Sequence, residues 1–175
     1  MGWRFELLVS RSRVRQDSVM IAVPLQAIEL AKRYEGFHKL ARPNATLAYP
    51  YRCPAGYWTI GYGHLCDQAH PPITLEQGEM YLALDLSEAL GATLRYCPVL
   101  SHEPEGRLAA ILDFTFNLGA GRLQTSTLRR RVNQRDWFGA ASELRRWVYG
   151  GGKVLPGLVE RRMAEARLIG ESSSV

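Results

Sequence analysis

Apolar residues recur at helical spacing over residues 24–36, where Ile28, Ala31 and Glu35 share one face. Pro24 suits the first turn, because its missing N–H is not needed there, and Gly36 is a natural stop. The pattern then changes. Residues 49–53 and 57–63 are aromatic-rich and read as two strands joined by Pro54-Ala55-Gly56, a sequence suited to a type I turn. Helical spacing returns at Thr74-Leu75-Glu76-Gln77, which has the form of a capping box, and runs to about Tyr96, ahead of Pro98, with Gly78 and Gly91 as weak points. The remainder predicts helices over 104–118, with Leu108, Ile111, Leu112 and Thr115 on one face, then 126–133, 136–147 and 156–169, the last two separated by Gly150-Gly151-Gly152. Strands grouped early and helices late predict an α+β class: a small N-terminal hairpin lobe and a C-terminal helical lobe joined by a long helix.

A chain of 175 residues suffices for one domain or two small lobes sharing a helix. Residues 1–23 mix basic and apolar positions without a clear period and read as an extension. The domain is expected over 24–170, with a tail over 171–175. The apolar stretch over 19–25 is interrupted by Pro24 and followed by Gln26, far short of the ~20 residues of a membrane span, and it lacks a small-residue cleavage site. Residues 104–175 carry a net +5, equal to the formal charge of the whole chain. Arg129, Arg130, Arg131, Arg135, Arg145, Arg146, Arg161 and Arg162 supply much of it, so this part should attract polyanions unless the arginines form a solvated helical face. The three cysteines, Cys53, Cys66 and Cys97, fit no zinc motif and no CxxC; a Cys66–Cys97 bridge stays open.

Glu35 is the most informative titratable residue. It ends a helix in line with an apolar stripe, and both burial and the negative end of the helix dipole disfavour its ionised form, the direction a general acid requires. The hairpin that follows can set Cys53 and Thr59 opposite it as a cleft wall.

From Glu35-Gly36, through Cys53 and Thr59 six positions later, to Thr59-Ile60-Gly61-Tyr62-Gly63-His64, the chain resembles the phage-type lysozymes. Phe114-Thr115-Phe116-Asn117-Leu118-Gly119, Ser126-Thr127-Leu128, Arg146-Trp147 and Gly157-Leu158-Val159-Glu160-Arg161-Arg162 match later motifs in order, so the resemblance covers about residues 24–170. It implies a two-lobed lysozyme-like fold and hydrolysis of the β-1,4 bond between N-acetylmuramic acid and N-acetylglucosamine in peptidoglycan, by a monomer without metal or organic cofactor. By position, Glu35 is the general acid, Cys53 stands at the Asp/Cys position and Thr59 at the Thr position. Tyr62, His64, Asn117 and Trp147 are candidate substrate residues. For three of these a structural reading stands beside that one: an ion-paired hairpin end for His64, a helix cap for Asn117 and a core position for Trp147. Arg161 and Arg162 read as fold-supporting or solvated. The expected partner is the glycan strand, with the anionic outer-membrane surface as a further partner of the C-terminal arginines and no nucleic acid. An enzyme of this kind would be made in the host cytoplasm and act on the periplasmic wall after release, through a holin.

Two departures matter. Seventeen residues separate Glu35 from Cys53, more than the family's spacing, and the extra length falls in the loop around residues 38–47. No Asp or Glu occurs between Gly36 and Cys66, so the hairpin lacks the second carboxylate that glycosidases usually pair with the acid. Cys53 can then help Thr59 position a water, which needs no ionised thiol, or attack as a thiolate. A cysteine peptidase using Cys53 and His64, and an inactive wall-binding module, are the competing readings.

Overall fold

The computed structural model describes residues 21–37, 46–53 and 56–171; the predicted extension over 1–23, the long loop after Phe37, the Pro54-Ala55 turn and the C-terminal tail lie largely or wholly outside them. Helix α1, Leu25–Glu35, starts behind Pro24 and stops at Gly36, whose φ of 67° ends the helical path. Ala27, Leu30 and Ala31 form its buried face, so the stripe lies slightly round from the one predicted through Ile28.

The hairpin is more elaborate than the alternation of residues implies. Strands β1, Tyr51–Arg52, and β2, Trp58–Ile60, pair antiparallel, with Tyr51 opposite Thr59. The predicted second strand over 57–63 does not run through. Gly61 and Gly63 take φ of 62° and 94° and turn the chain back, so that β3, His64–Leu65, adds a third antiparallel strand with Ile60 opposite His64. Two glycines around Tyr62 are turn chemistry inside an aromatic run.

Helix α2, Leu75–Tyr96, joins the lobes. Thr74 and Gln77 close the capping box predicted for it, each side chain bonding the other's backbone N–H. The helical lobe contains α3, Glu105–Leu118; α4, Ala120–Thr125; α5, Thr127–Asn133; α6, Trp137–Leu144; and α7, Pro156–Glu171. Ser126 and Asp136 cap α5 and α6 through the N–H groups of Arg129 and Gly139. Three elements were not predicted: the 3-10 turn Pro98–His102, helix α4, and a ribbon of β4, Tyr149–Gly150, with β5, Lys153–Val154, folded over Gly151-Gly152. Helix α6 ends at Leu144, so Trp147 lies beyond it. No helix of the described residues is long and apolar enough to cross a membrane.

Helix α3 is the centre of the main core, with ten consecutive buried residues from Gly106 to Thr115. That burial includes Asp113, which faces Arg161, Arg162 and Glu165 of α7, all nearly or fully buried. Arg162 donates to Asn117 Oδ1 at 2.7 Å and passes 3.1 Å from Glu165 Oε1. Burial pushes the Glu165 carboxyl well above the usual carboxylate range, more than the Arg162 charge pulls it down, and burial also lowers Arg162. A second, smaller cluster of Ala48, Ile60 and Ile73 lies beneath the sheet, and Phe37 bridges the two.

Phe37 is wedged in place. Its ring tilts against Tyr62 at 5.4 Å between centroids, and a Cβ on Gly78 would lie 2.6 Å from its Cε2. The absence of a side chain at 78 therefore admits the ring that follows Glu35. Gly78→Ala should gain up to ~1 kcal/mol in helix propensity but lose about 1–3 kcal/mol to overpacking, lowering the urea midpoint. Gly91→Ala, with open space around its Cβ, should raise it; midpoints moving in the same direction would contradict this packing. For Glu165, a carboxyl raised in the folded state weakens the fold as pH climbs from its unfolded value, about 4.3, through the folded one. Glu165→Gln removes that titration. Melting curves should show the variant gaining a few degrees on the parent between acidic and neutral pH, and parallel curves would refute it.

Candidate active site

Glu35 is the last residue of α1, and its side chain is 28% exposed at the edge of the helical lobe. Arg161 of α7 donates from Nη1 to Glu35 Oε1 at 2.5 Å. The same guanidinium, 3% exposed, grips Asp113 with Nε and Nη2, both at 2.8 Å. Burial alone would lower the Arg161 pKa; hydrogen bonding and attraction to Asp113, with a smaller contribution from Glu35, outweigh it and raise it. To the apolar stripe and helix dipole expected around Glu35, the fold adds a guanidinium facing the carboxyl. Arg161 also corrects the reading of the C-terminal arginines. Arg161 and Arg162 are interior groups, while Arg131, Arg135 and Arg146 pair with Asp136, Glu103 and Glu143 at 2.8, 2.7 and 2.9 Å. The basic surface is smaller than the sequence charge implies.

The sheet supplies the second group. Tyr51 and Thr59 are cross-strand partners, and Cys53 Nα–H bonds Tyr57 O at 2.9 Å, which continues the ladder one step. Pleating therefore sets Tyr51, Cys53 and Thr59 on one face. Thr59 is 4% exposed, and its hydroxyl donates to Tyr51 O at 3.4 Å; Cys53 is half-buried with a free thiol. Burial raises the Tyr51 phenol, a hydrogen bond with Thr59 counters this, and the charges of Glu35, Cys53 and Cys66 raise it further. Tyr51 thus shares its sheet face with Cys53 and Thr59. Sequence reading missed it, although its place two residues before Cys53 puts it on the same strand face.

His64 is on the other face, level with Ile60. Its Nδ1 lies 3.0 Å from both Asp85 oxygens, and its ring stacks on Tyr81 at 4.4 Å. The pleat separates it from Cys53, which removes the geometric basis of a Cys53–His64 pair. A groove of about 540 Å³ runs between the lobes, with His64, Leu65 and Asp85 on one side and Phe116 and Gly119 on the other. The remaining candidates are distributed. Tyr62 is 8% exposed and packed on Phe37, a core position. The Asn117 side chain is held by Arg162, not spent on capping; Gly119 ends α3. Trp147 packs edge-on against Phe114 at 5.3 Å and also lines a polar pocket of about 520 Å³ with Arg122, Thr127 and Tyr149. The core reading of Trp147 therefore holds in its contact with Phe114, and its other face lines this separate pocket. Cys66 and Cys97 are unpaired, one in the sheet lobe and the other at the far end of α2. Among the described residues, no three His, Cys, Asp or Glu side chains cluster as a metal site would need.

The profile of the phage lysozyme family matches residues 33–165, which takes in Glu35, the sheet, α3 and Arg161. An endolysin of Acyrthosiphon pisum secondary endosymbiont phage 1 is 36% identical over 150 residues, covering 82% of this chain and 94% of that protein. A SAR-endolysin of Bacteriophage PS34 is 38% identical over 116 residues, 66% of this chain and 70% of its own length. Among solved structures, the muramidase domain of SpmX from Asticaccaulis excentricus superposes with a TM-score of 0.70 at 27% identity, covering 84% of this chain and 96% of that one. The endolysin from Escherichia coli O157:H7 phage FAHEc1 gives 0.69 at 26% identity, covering 86% and 94%. With the profile spanning most of the described residues and the fold shared, the chain belongs to the phage lysozyme family, the glycoside hydrolases that degrade peptidoglycan.

Proposed function

We propose that Glu35 donates the proton to the leaving oxygen when the enzyme cuts the β-1,4 bond between N-acetylmuramic acid and N-acetylglucosamine. The observation that carries this is the placement of Glu35: partly exposed at a helix end, with its Oε1 fixed by Arg161 Nη1 at 2.5 Å. Its second oxygen is not engaged by that bond and is the one that can present a proton to substrate. The sheet face carrying Tyr51, Cys53 and Thr59 supports the other half of the reaction. It holds hydroxyl and thiol groups but no carboxylate, since none occurs between Gly36 and Cys66. Such a face can orient a water by hydrogen bonds; it offers no carboxylate for a glycosyl-enzyme intermediate. We assign Cys53 and Thr59 to holding that water, with Tyr51 behind Thr59.

Glu35→Gln should lower the clearing rate of purified peptidoglycan by about 10²–10⁴-fold, without new melting behaviour, as expected for loss of a general acid. Undiminished clearing would exclude Glu35 as the donor. Released fragments should carry new reducing sugars; new amino termini instead would indicate a peptidase. Cys53→Ser should retain most activity and Cys53→Ala should lose it, because serine keeps a hydrogen-bonding group and alanine does not. Proton NMR of the first product should show the inverted anomer, whereas retention would require a covalent intermediate.

A further inference from the structure

Asp113 lies in the middle of α3, is fully buried and does not line the groove, yet it takes two of the three nitrogens of Arg161. Only Nη1 is left for Glu35. This division has an electrostatic consequence. An isolated guanidinium at hydrogen-bond distance, shielded from solvent, would favour the Glu35 carboxylate and leave it no proton to give. A guanidinium gripped at 2.8 Å by both oxygens of a carboxylate is close to a neutral pair. Glu35 then receives a hydrogen bond from a group whose charge is already answered. The grip also fixes the plane of the guanidinium, so Nη1 stands in place when Glu35 loses its proton. The negative charge appearing there meets a donor that does not have to move.

The other groups around Glu35 leave this role to Asp113. On β1, burial above all raises the Tyr51 phenol, with a lesser contribution from the Glu35 charge, so it is neutral, and Cys53 shares its sheet face. From α7, Arg162 is turned to Asn117 and Glu165, and Glu165 is 4.0 Å from Arg161 Nε, farther than Asp113. On α1, Lys32 is paired with Glu79 at 2.6 Å, and the Tyr34 ring lies beside Arg161 at 5.6 Å.

We propose that Asp113 is a positioning residue for Glu35, acting through Arg161: it fixes Nη1 beside the acid and cancels the positive charge that would otherwise strip the acid of its proton. This rests on Glu35 being the proton donor.

The test is the pH dependence of kcat/KM on purified peptidoglycan. Asp113→Asn keeps the shape and removes the charge, leaving Glu35 beside an uncompensated cation. The alkaline limb of the profile should move about one pH unit toward acid, a roughly tenfold loss at a pH above the limb, with the acidic plateau within about twofold of the parent. A folded Asp113→Asn with an unmoved limb overturns the proposal. If Asp113→Asn does not fold, Arg161→Lys carries the test, because lysine keeps the charge but lacks the fork. The ammonium cannot hold Asp113 by two bonds and still reach Glu35, so kcat should fall about tenfold or more with KM nearly unchanged. Parental kcat in Arg161→Lys would show that the fork is not needed and overturn the proposal. Glu35→Gln separates the two readings. An active Glu35→Gln removes the donor assignment itself; an inactive one, combined with an unmoved Asp113→Asn limb, removes only the role of Asp113.

Discussion

The Arg161 guanidinium joins three helices that are far apart in sequence. It rises from α7, binds Asp113 of α3 by two parallel bonds and reaches Glu35 at the end of α1. Burying that charge is expensive, and a well-packed apolar set of similar volume would cost less. The arrangement is therefore better understood as a positional device than as a source of stability. It sets where the end of α1 sits relative to the core, and the carboxyl at that end is the one we propose as the proton donor. Nearby, Arg162 bonds Asn117, so the far end of α3 is tied to the same turn of α7.

The opposite wall depends on a different set of contacts. The sheet is held to α2 by the His64–Asp85 pair and by the His64 ring on Tyr81. Helix α1 is held to α2 by Lys32 and Glu79, with Phe37 lodged over Gly78. Helix α2 is thus the shared reference for both walls, and its start is fixed by the Thr74–Gln77 capping box. A shift in α2 would move the sheet face that carries Cys53 and Thr59 relative to Glu35. Helix α2 also lines the groove of about 540 Å³ on the His64 side of the sheet, through Asp85, Glu88, Ala89 and Ala92.

What could be read from the sequence follows the range of the interactions involved. The stop of α1 at Gly36, the capping box of α2 and the caps at Ser126 and Asp136 are local, and each was legible from a few neighbouring residues. The alternation along the hairpin also made it legible that Cys53 and Thr59 could lie side by side, and the pleat sets them on one face. The errors arise where local signals mislead or are missing. Gly61-Tyr62-Gly63 looks like strand interior by its aromatics but is a turn by its backbone, and Tyr62 goes into the core. The two arginines at 161 and 162 read as fold-supporting or solvated, and neighbouring residues do not choose between these; the partners that bury them are 48, 126 and 45 positions away. Asp113, inside an apolar helix, was the available clue: a fully buried carboxylate needs a cation, and an arginine within an amphipathic helix elsewhere must supply it.

The absence of a second carboxylate becomes less surprising once the charge around Glu35 is counted. In a two-carboxylate glycosidase the base helps stabilise the positive charge that develops on the sugar. Under the proposal that Glu35 is the donor, the Arg161–Asp113 pair is close to neutral, so the proton leaving Glu35 creates an anion that is not cancelled in advance. That anion sits beside the bond being broken and can itself stabilise the oxocarbenium character of the transition state. The sheet face then has a lighter task, to hold a water in line, which hydroxyl and thiol groups perform without charge. A carboxylate at position 53 would disfavour the ionised form of Glu35 and so help it hold its proton. A neutral thiol gives no such help, so in the proposed mechanism the Asp113 grip on Arg161 carries more of the task of keeping Glu35 protonated.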